Sequence, residues 1–172
     1  MYEATASTQA TMNSTEAGEV TGCGLRFLLL ANTDVAPFTI VDASVSVYKD
    51  GFGLMKGGLF TTPSLNQKVT TPVPFQSFWF KAGNDQALPI VDRKFTKGDP
   101  ETYKLAGTPM RQAAAFLGEV VFNPEARITV SFRREGAPTD LVLTASLKKD
   151  PATTRQFDEC FKALERSLSQ PD

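Results

Sequence analysis

From Val41 to Tyr48 the chain alternates strictly. Val41, Ala43, Val45 and Val47 interleave with Asp42, Ser44, Ser46 and Tyr48, and Asp50-Gly51 follows at once. A period of two puts successive side chains on opposite faces of a strand, so one face is dry and the other wet. Asp-Gly accepts the positive φ angles that a tight hairpin turn demands. A return strand is therefore expected through Leu54 and Met55 to Leu59 and Phe60, with Gly57-Gly58 permitting a bulge or bend. An antiparallel sheet with one buried face is the architecture this segment imposes.

The same pattern recurs on either side. Cys23, Leu25, Phe27 and Leu29 share one face of a strand spanning 18–32. Ile128, Val130 and Phe132, then Leu141, Leu143, Ala145 and Leu147, form the arms of a hairpin around Glu135-Gly136-Ala137-Pro138. Pro63, Pro72 and Pro74 argue against helix in the section between. Phe75 to Lys81 is rich in β-formers, but Phe78, Trp79 and Phe80 are consecutive, which implies cover on both faces. Residues 82–112 read as irregular, with a short helical turn near Arg111 to Phe116 and a strand over Leu117 to Phe122.

The end of the chain reads differently. Asp150 is placed to cap a helix, and Pro151 suits the first helical position because its missing N–H has no partner there. Phe157, Cys160, Phe161, Leu164 and Leu168 then fall on one stripe, with Arg155, Asp158, Glu159, Lys162 and Arg166 off it. Such a helix needs a sheet to pack on.

These elements predict a mainly β fold: an antiparallel β-sandwich or strongly curved sheet of about eight strands, with one C-terminal amphipathic α-helix packed on it. Residues 18–172 are expected to form a single β-rich domain with its closing helix at about 151–169. Residues 1–17, rich in Thr, Ser and Ala, read as a weakly ordered N-terminal arm or edge strand. There is no solenoid-length repeat and no βαβ alternation.

Composition enters through what it excludes. The chain has no histidine, which removes Ser-His-Asp and Cys-His catalysis and nearly all catalytic zinc sites. Two cysteines cannot by themselves hold a Cys₄ zinc or an iron–sulfur cluster. No phosphate-binding loop, dinucleotide fingerprint or EF-hand loop is present, so no cofactor is expected. Eighteen basic and nineteen acidic residues nearly cancel, which is not the electrostatic footprint of a nucleic-acid binder. No stretch approaches the roughly 18 apolar residues of a membrane span. The first residues lack the basic and apolar regions of a signal peptide. Two localisations follow: cytoplasmic, or periplasmic or secreted after loss of a leader.

Few residues then remain for chemistry. Cys23 on an apolar strand face and Cys160 on the apolar helix stripe meet if helix and sheet pack, giving a disulfide in an oxidising compartment. Two unrelated buried thiols are the alternative. Asp42 and Glu119 are the acid–base candidates, although exposed positions on alternating strands explain them more simply. The mixed-charge segment carrying Arg93, Lys94, Lys97, Asp99, Glu101, Tyr103 and Lys104 is the first choice for a partner-facing loop. Arg133-Arg134-Glu135 lies at a hairpin tip. Thirteen phenylalanines either fill a core or line an apolar cavity.

Three functions fit these residues. The first is a non-catalytic binding or assembly module of the bacterial envelope or periplasm, stapled by Cys23 and Cys160. The second is a carrier of an apolar small ligand in a Phe-lined cavity, and the third is a carboxylate-based hydrolase. The partner is a protein or an apolar ligand in the first two, and the sequence does not define an oligomeric state.

Overall fold

The structure is a computed structural model and describes residues 1–66, 68–98, 102–148 and 150–169. Its strands are β1 (Tyr2–Ser14), β2 (Val20–Ala31), β3 (Phe38–Tyr48), β4 (Phe52–Thr62), β5 (Thr71–Pro72), β6 (Phe75–Ala82), β7 (Thr96–Lys97), β8 (Tyr103–Pro109), β9 (Arg127–Arg134) and β10 (Leu141–Ser146). Two helices accompany them among the described residues, α1 (Met110–Phe122) and α2 (Pro151–Leu168).

The strands form one sheet in the order β6-β9-β10-β1-β2-β3-β4-β8-β7, with β5 paired to β4. All pairings are antiparallel except β1 with β10, where Tyr2 faces Leu143 and Glu3 faces Thr144. The sheet curves until its ends nearly meet. Gly57 of β4 lies so close to β6 and β9 that a Cβ there would stand 3.2 Å from the Phe78 ring and 3.3 Å from the Phe132 ring. Lys104 of β8 donates from Nζ to the Gln76 carbonyl of β6 at 3.3 Å. The ladder itself stays open.

The expected hairpins are present. Val41, Ala43, Val45 and Val47 are all buried, and β3 returns as β4 through the turn at Asp50-Gly51. Cys23, Leu25, Phe27 and Leu29 of β2 line the same interior. Phe75, Phe78, Phe80 and Phe132 close it from the other end of the sheet, with Phe78 5.9 Å from Phe132 and 4.9 Å from Phe80.

Residues 1–17 were expected as an arm or edge strand, and that expectation is corrected. β1 is an inner strand, paired with β2 from Ala4–Ala31 to Ser14–Val20 and with β10 on its other side. Its hydrophobic signal is weak because its inward residues, including Ala4, Ala6, Thr8 and Ala10, are small. Small side chains let α2 lie close over the strand, where the Thr153 hydroxyl donates to the Thr8 carbonyl at 3.4 Å. Backbone pairing places the strand without help from bulky residues.

The strand expected over Leu117 to Phe122 is also corrected, because α1 continues to Phe122. Ala113, Phe116, Leu117, Val120 and Val121 are buried at helical spacing, whereas Phe122 is exposed. The β-branched pair Val120-Val121 favours strand locally. Burial of one helical stripe against β3 and β4 outweighs that preference. The Phe116 ring meets Phe27 edge-on at 5.9 Å.

α2 follows the sequence reading closely. Asp150 accepts from the backbone N–H groups of Ala152 and Thr153 at 3.1 and 3.3 Å, and these bonds hold its carboxyl below the ordinary value. Phe157, Cys160 and Leu164 are buried, while Leu168 runs past the sheet and is exposed. No described helix is long and apolar enough to cross a membrane.

Candidate functional site

Three arrangements bring polar or reactive side chains together. The first is covalent. Cys23 of β2 and Cys160 of α2 form a disulfide with their Cα atoms 5.9 Å apart, closing 137 positions of sequence. Both residues are buried, so the bond belongs to the interface between helix and sheet.

The second lies on the outer face of β2, β3, β4 and β8. Arg26 grips Asp42 with two hydrogen bonds, Nε to Oδ1 at 2.8 Å and Nη2 to Oδ2 at 2.6 Å. Tyr103 donates its hydroxyl to Asp42 Oδ2 at 2.7 Å, and the Lys56 ammonium stands 4.1 Å from the centre of the Tyr103 ring. Burial resists ionisation of Asp42, but the bonds from Arg26 and Tyr103 and the nearby positive charge outweigh it and lower its pKa. Burial, the bond to Asp42 and the charge of Asp42 push the Tyr103 phenol up to about 12. The Arg26 pKa is raised chiefly by its bond to Asp42. An ionised carboxylate held by two donors and a phenol kept protonated make a tie between strands. Neither group is poised to exchange a proton near neutral pH.

The third arrangement is a groove on the outer face of β6, β9 and β10. Alternation sends Phe78 and Phe80 inward, while Trp79 faces the other way and is partly exposed. Lys81, Thr129 and Thr144 continue the floor from Trp79, and the two threonine hydroxyls are 3.2 Å apart. The wall comes from the end of α1. Glu119 accepts from the Asn123 side-chain amide at 2.6 Å, and Asn123 Oδ1 accepts from the Glu125 backbone N–H at 2.9 Å. Arg127 donates from Nη2 to both carboxylate oxygens of Glu3, at 2.9 and 3.0 Å. The groove encloses about 590 Å³ and opens to solvent.

Asp42 and Glu119 do not share a site. Asp42 is bound by Arg26 and Tyr103, whereas Glu119 lines the Trp79 groove beside Glu125. Among the described residues no three His, Cys, Asp or Glu side chains cluster as metal ligands would.

The described part of the mixed-charge segment includes β7 and the start of β8, paired antiparallel at the sheet edge. Val91–Arg93 makes a short 3₁₀ turn in which Asp92 has a φ of 56°. Lys94 follows and is exposed. Lys97 of β7 faces Lys104 of β8. Tyr103 is committed to Asp42, and Lys104 reaches Gln76. Asp99 and Glu101 lie outside the described residues. At the β9–β10 hairpin, Arg133 is ion-paired with Asp140.

The Trp79 groove was not legible from the sequence, because its lining comes from β6, α1, β9 and β10. The signal available in advance was the lone Trp placed between two inward phenylalanines. In comparisons with protein-family models, with curated proteins and with solved structures, nothing matches this chain.

Proposed function

We propose that the chain is a non-catalytic binding or assembly module working in an oxidising compartment, the bacterial periplasm or the exterior. The Cys23–Cys160 disulfide carries this reading, because such bonds persist outside the reducing cytosol and staple domains that work there. The lack of histidine supports the non-catalytic part, as does the commitment of Asp42 to Arg26 and Tyr103. Thiol trapping in intact source cells tests the compartment. A protein that resists alkylation until reductant is added supports the reading, and one alkylated at both cysteines without reductant overturns it.

One observation favours the hydrolase alternative: Glu119 and Glu125 line the same open groove. Two carboxylates flanking a bond are the usual machinery of glycoside cleavage. Turnover of oligosaccharides, abolished by Glu119→Gln, would establish it. The carrier alternative requires a hollow interior, and Phe75, Phe78, Phe80, Phe95 and Phe132 instead make ring-to-ring contacts.

A further inference from the structure

We infer that the Trp79 groove is a binding site for a neutral carbohydrate. The inference rests on the binding-module reading and names the ligand class for it. A pyranose ring has an apolar C–H face and a rim of hydroxyls, so it needs a flat apolar platform bordered by planar hydrogen-bonding groups. Trp79 supplies the platform from the middle of β6, on the solvent side of the sheet. Asn84, Glu119, Asn123 and Arg127 border it with amide, carboxylate and guanidinium groups, the chemical types that hydrogen-bond sugar hydroxyls.

The charges around the groove select against ions. Among the side chains of the lining, Lys81 and Arg127 stand with Glu119 and Glu125, and Arg127 is also paired with Glu3 outside the lining. A phosphate or sulfate would meet carboxylates on the same wall, and a cationic ligand would meet Lys81. A neutral polyol meets neither repulsion. The borders are also held in place beforehand: Asn123 is bonded to Glu119, Thr129 to Thr144, and Arg127 to Glu3. Fixed polar groups lose little freedom on binding. One platform fits one or two sugar units in a groove of about 590 Å³.

Trp79 is the only tryptophan, so its fluorescence reports on this groove alone. The test titrates the full chain with neutral β-1,4-linked oligomers of glucose, N-acetylglucosamine, mannose and xylose, and with a sulfated oligosaccharide as the anionic probe. A saturable emission change with at least one neutral oligomer is expected. In calorimetry Trp79→Ala should weaken that binding at least about tenfold. Trp79→Phe should retain most of it, and Asn123→Ala should weaken it with the fold intact by circular dichroism. No response to any neutral oligomer overturns the inference, as does preference for the sulfated probe. Binding unchanged in Trp79→Ala overturns the site while leaving the binding module standing. Cleavage of the oligomer, seen by mass spectrometry, instead overturns the non-catalytic reading.

Discussion

Tyr103 of β8 donates a 2.7 Å hydrogen bond to Asp42 of β3, passing over the bare backbone of Gly58 in the strand between them. Asp42 and Tyr103 are the two cross-strand neighbours of Gly58, so the three lie in one row. A Cβ on Gly58 would stand 2.6 Å from the tyrosine ring. The missing side chain is what allows the ring to lie flat and reach the second strand. Arg26 then extends the tie to β2, so that it links β2, β3 and β8 across β4.

Gly58→Ala is expected to push Tyr103 off this row and to destabilise the fold by about 1–3 kcal/mol, the usual cost of overpacking. Urea unfolding measures the loss. A parallel collapse of the Tyr103 titration toward an ordinary phenol would tie the effect to the hydrogen bond.

Tyr103 should ionise only near pH 12 in the folded protein, by ultraviolet titration, and Asp42→Asn should bring it down. A folded pKa above the unfolded value of about 10 means that Tyr103 contributes fully below that pH. The contribution is lost as pH rises from about 10 through 12. The sign reverses for Asp42, whose folded pKa is lowered. Its contribution is present above the unfolded carboxyl value of about 4 and disappears as pH falls through the folded one. Stability profiles of Asp42→Asn and the parent should therefore converge in acid.

Cys23→Ser with Cys160→Ser is expected to lower stability by up to roughly 4–5 kcal/mol, since the bridge closes a loop long enough to constrain most of the unfolded chain. Guanidinium unfolding of the oxidised parent, the reduced parent and the double variant measures it. Intact mass without reductant should be two hydrogens below that of the reduced chain. Equal stabilities of oxidised and reduced protein would deny the disulfide any part in holding α2.

Phe116→Ala should cost about 3–5 kcal/mol, because it leaves a cavity beneath α1 against Phe27. Phe122→Ala on the same helix should change little, as that side chain is exposed. The contrast checks that the segment is a helix. On an extended segment running from 116 to 122, those two residues would lie on the same face and respond alike.

Local chemistry was legible wherever one short segment carried its whole reason. The Asp50-Gly51 hairpin, the alternation in β3, β9 and β10, and the cap of α2 by Asp150 are set by residues within a few positions of each other. The two cysteines could be placed on apolar faces for the same reason, although their meeting depended on where α2 came to rest. Misreadings arose where a distant neighbour outweighed local preference. β1 looks loose because its inward side chains are small, and they are small because α2 lies over them. Val120 and Val121 favour a strand, and the stripe running from Ala113 to Val121 finds its surface on distant strands, chiefly β3 and β4.

By itself, then, the sequence determined a mainly β chain with a capped amphipathic helix at its end, and it removed histidine chemistry altogether. Period-two and helical patterns are local properties, and composition is independent of folding. Only the tertiary structure decided that β1 is an inner strand, that Cys23 reaches Cys160, and that Trp79 shares a groove with Glu119, Asn123 and Arg127. Those relationships join residues far apart in the chain, and the curvature and strand order that bring them together are set by packing of the whole sheet against its helices.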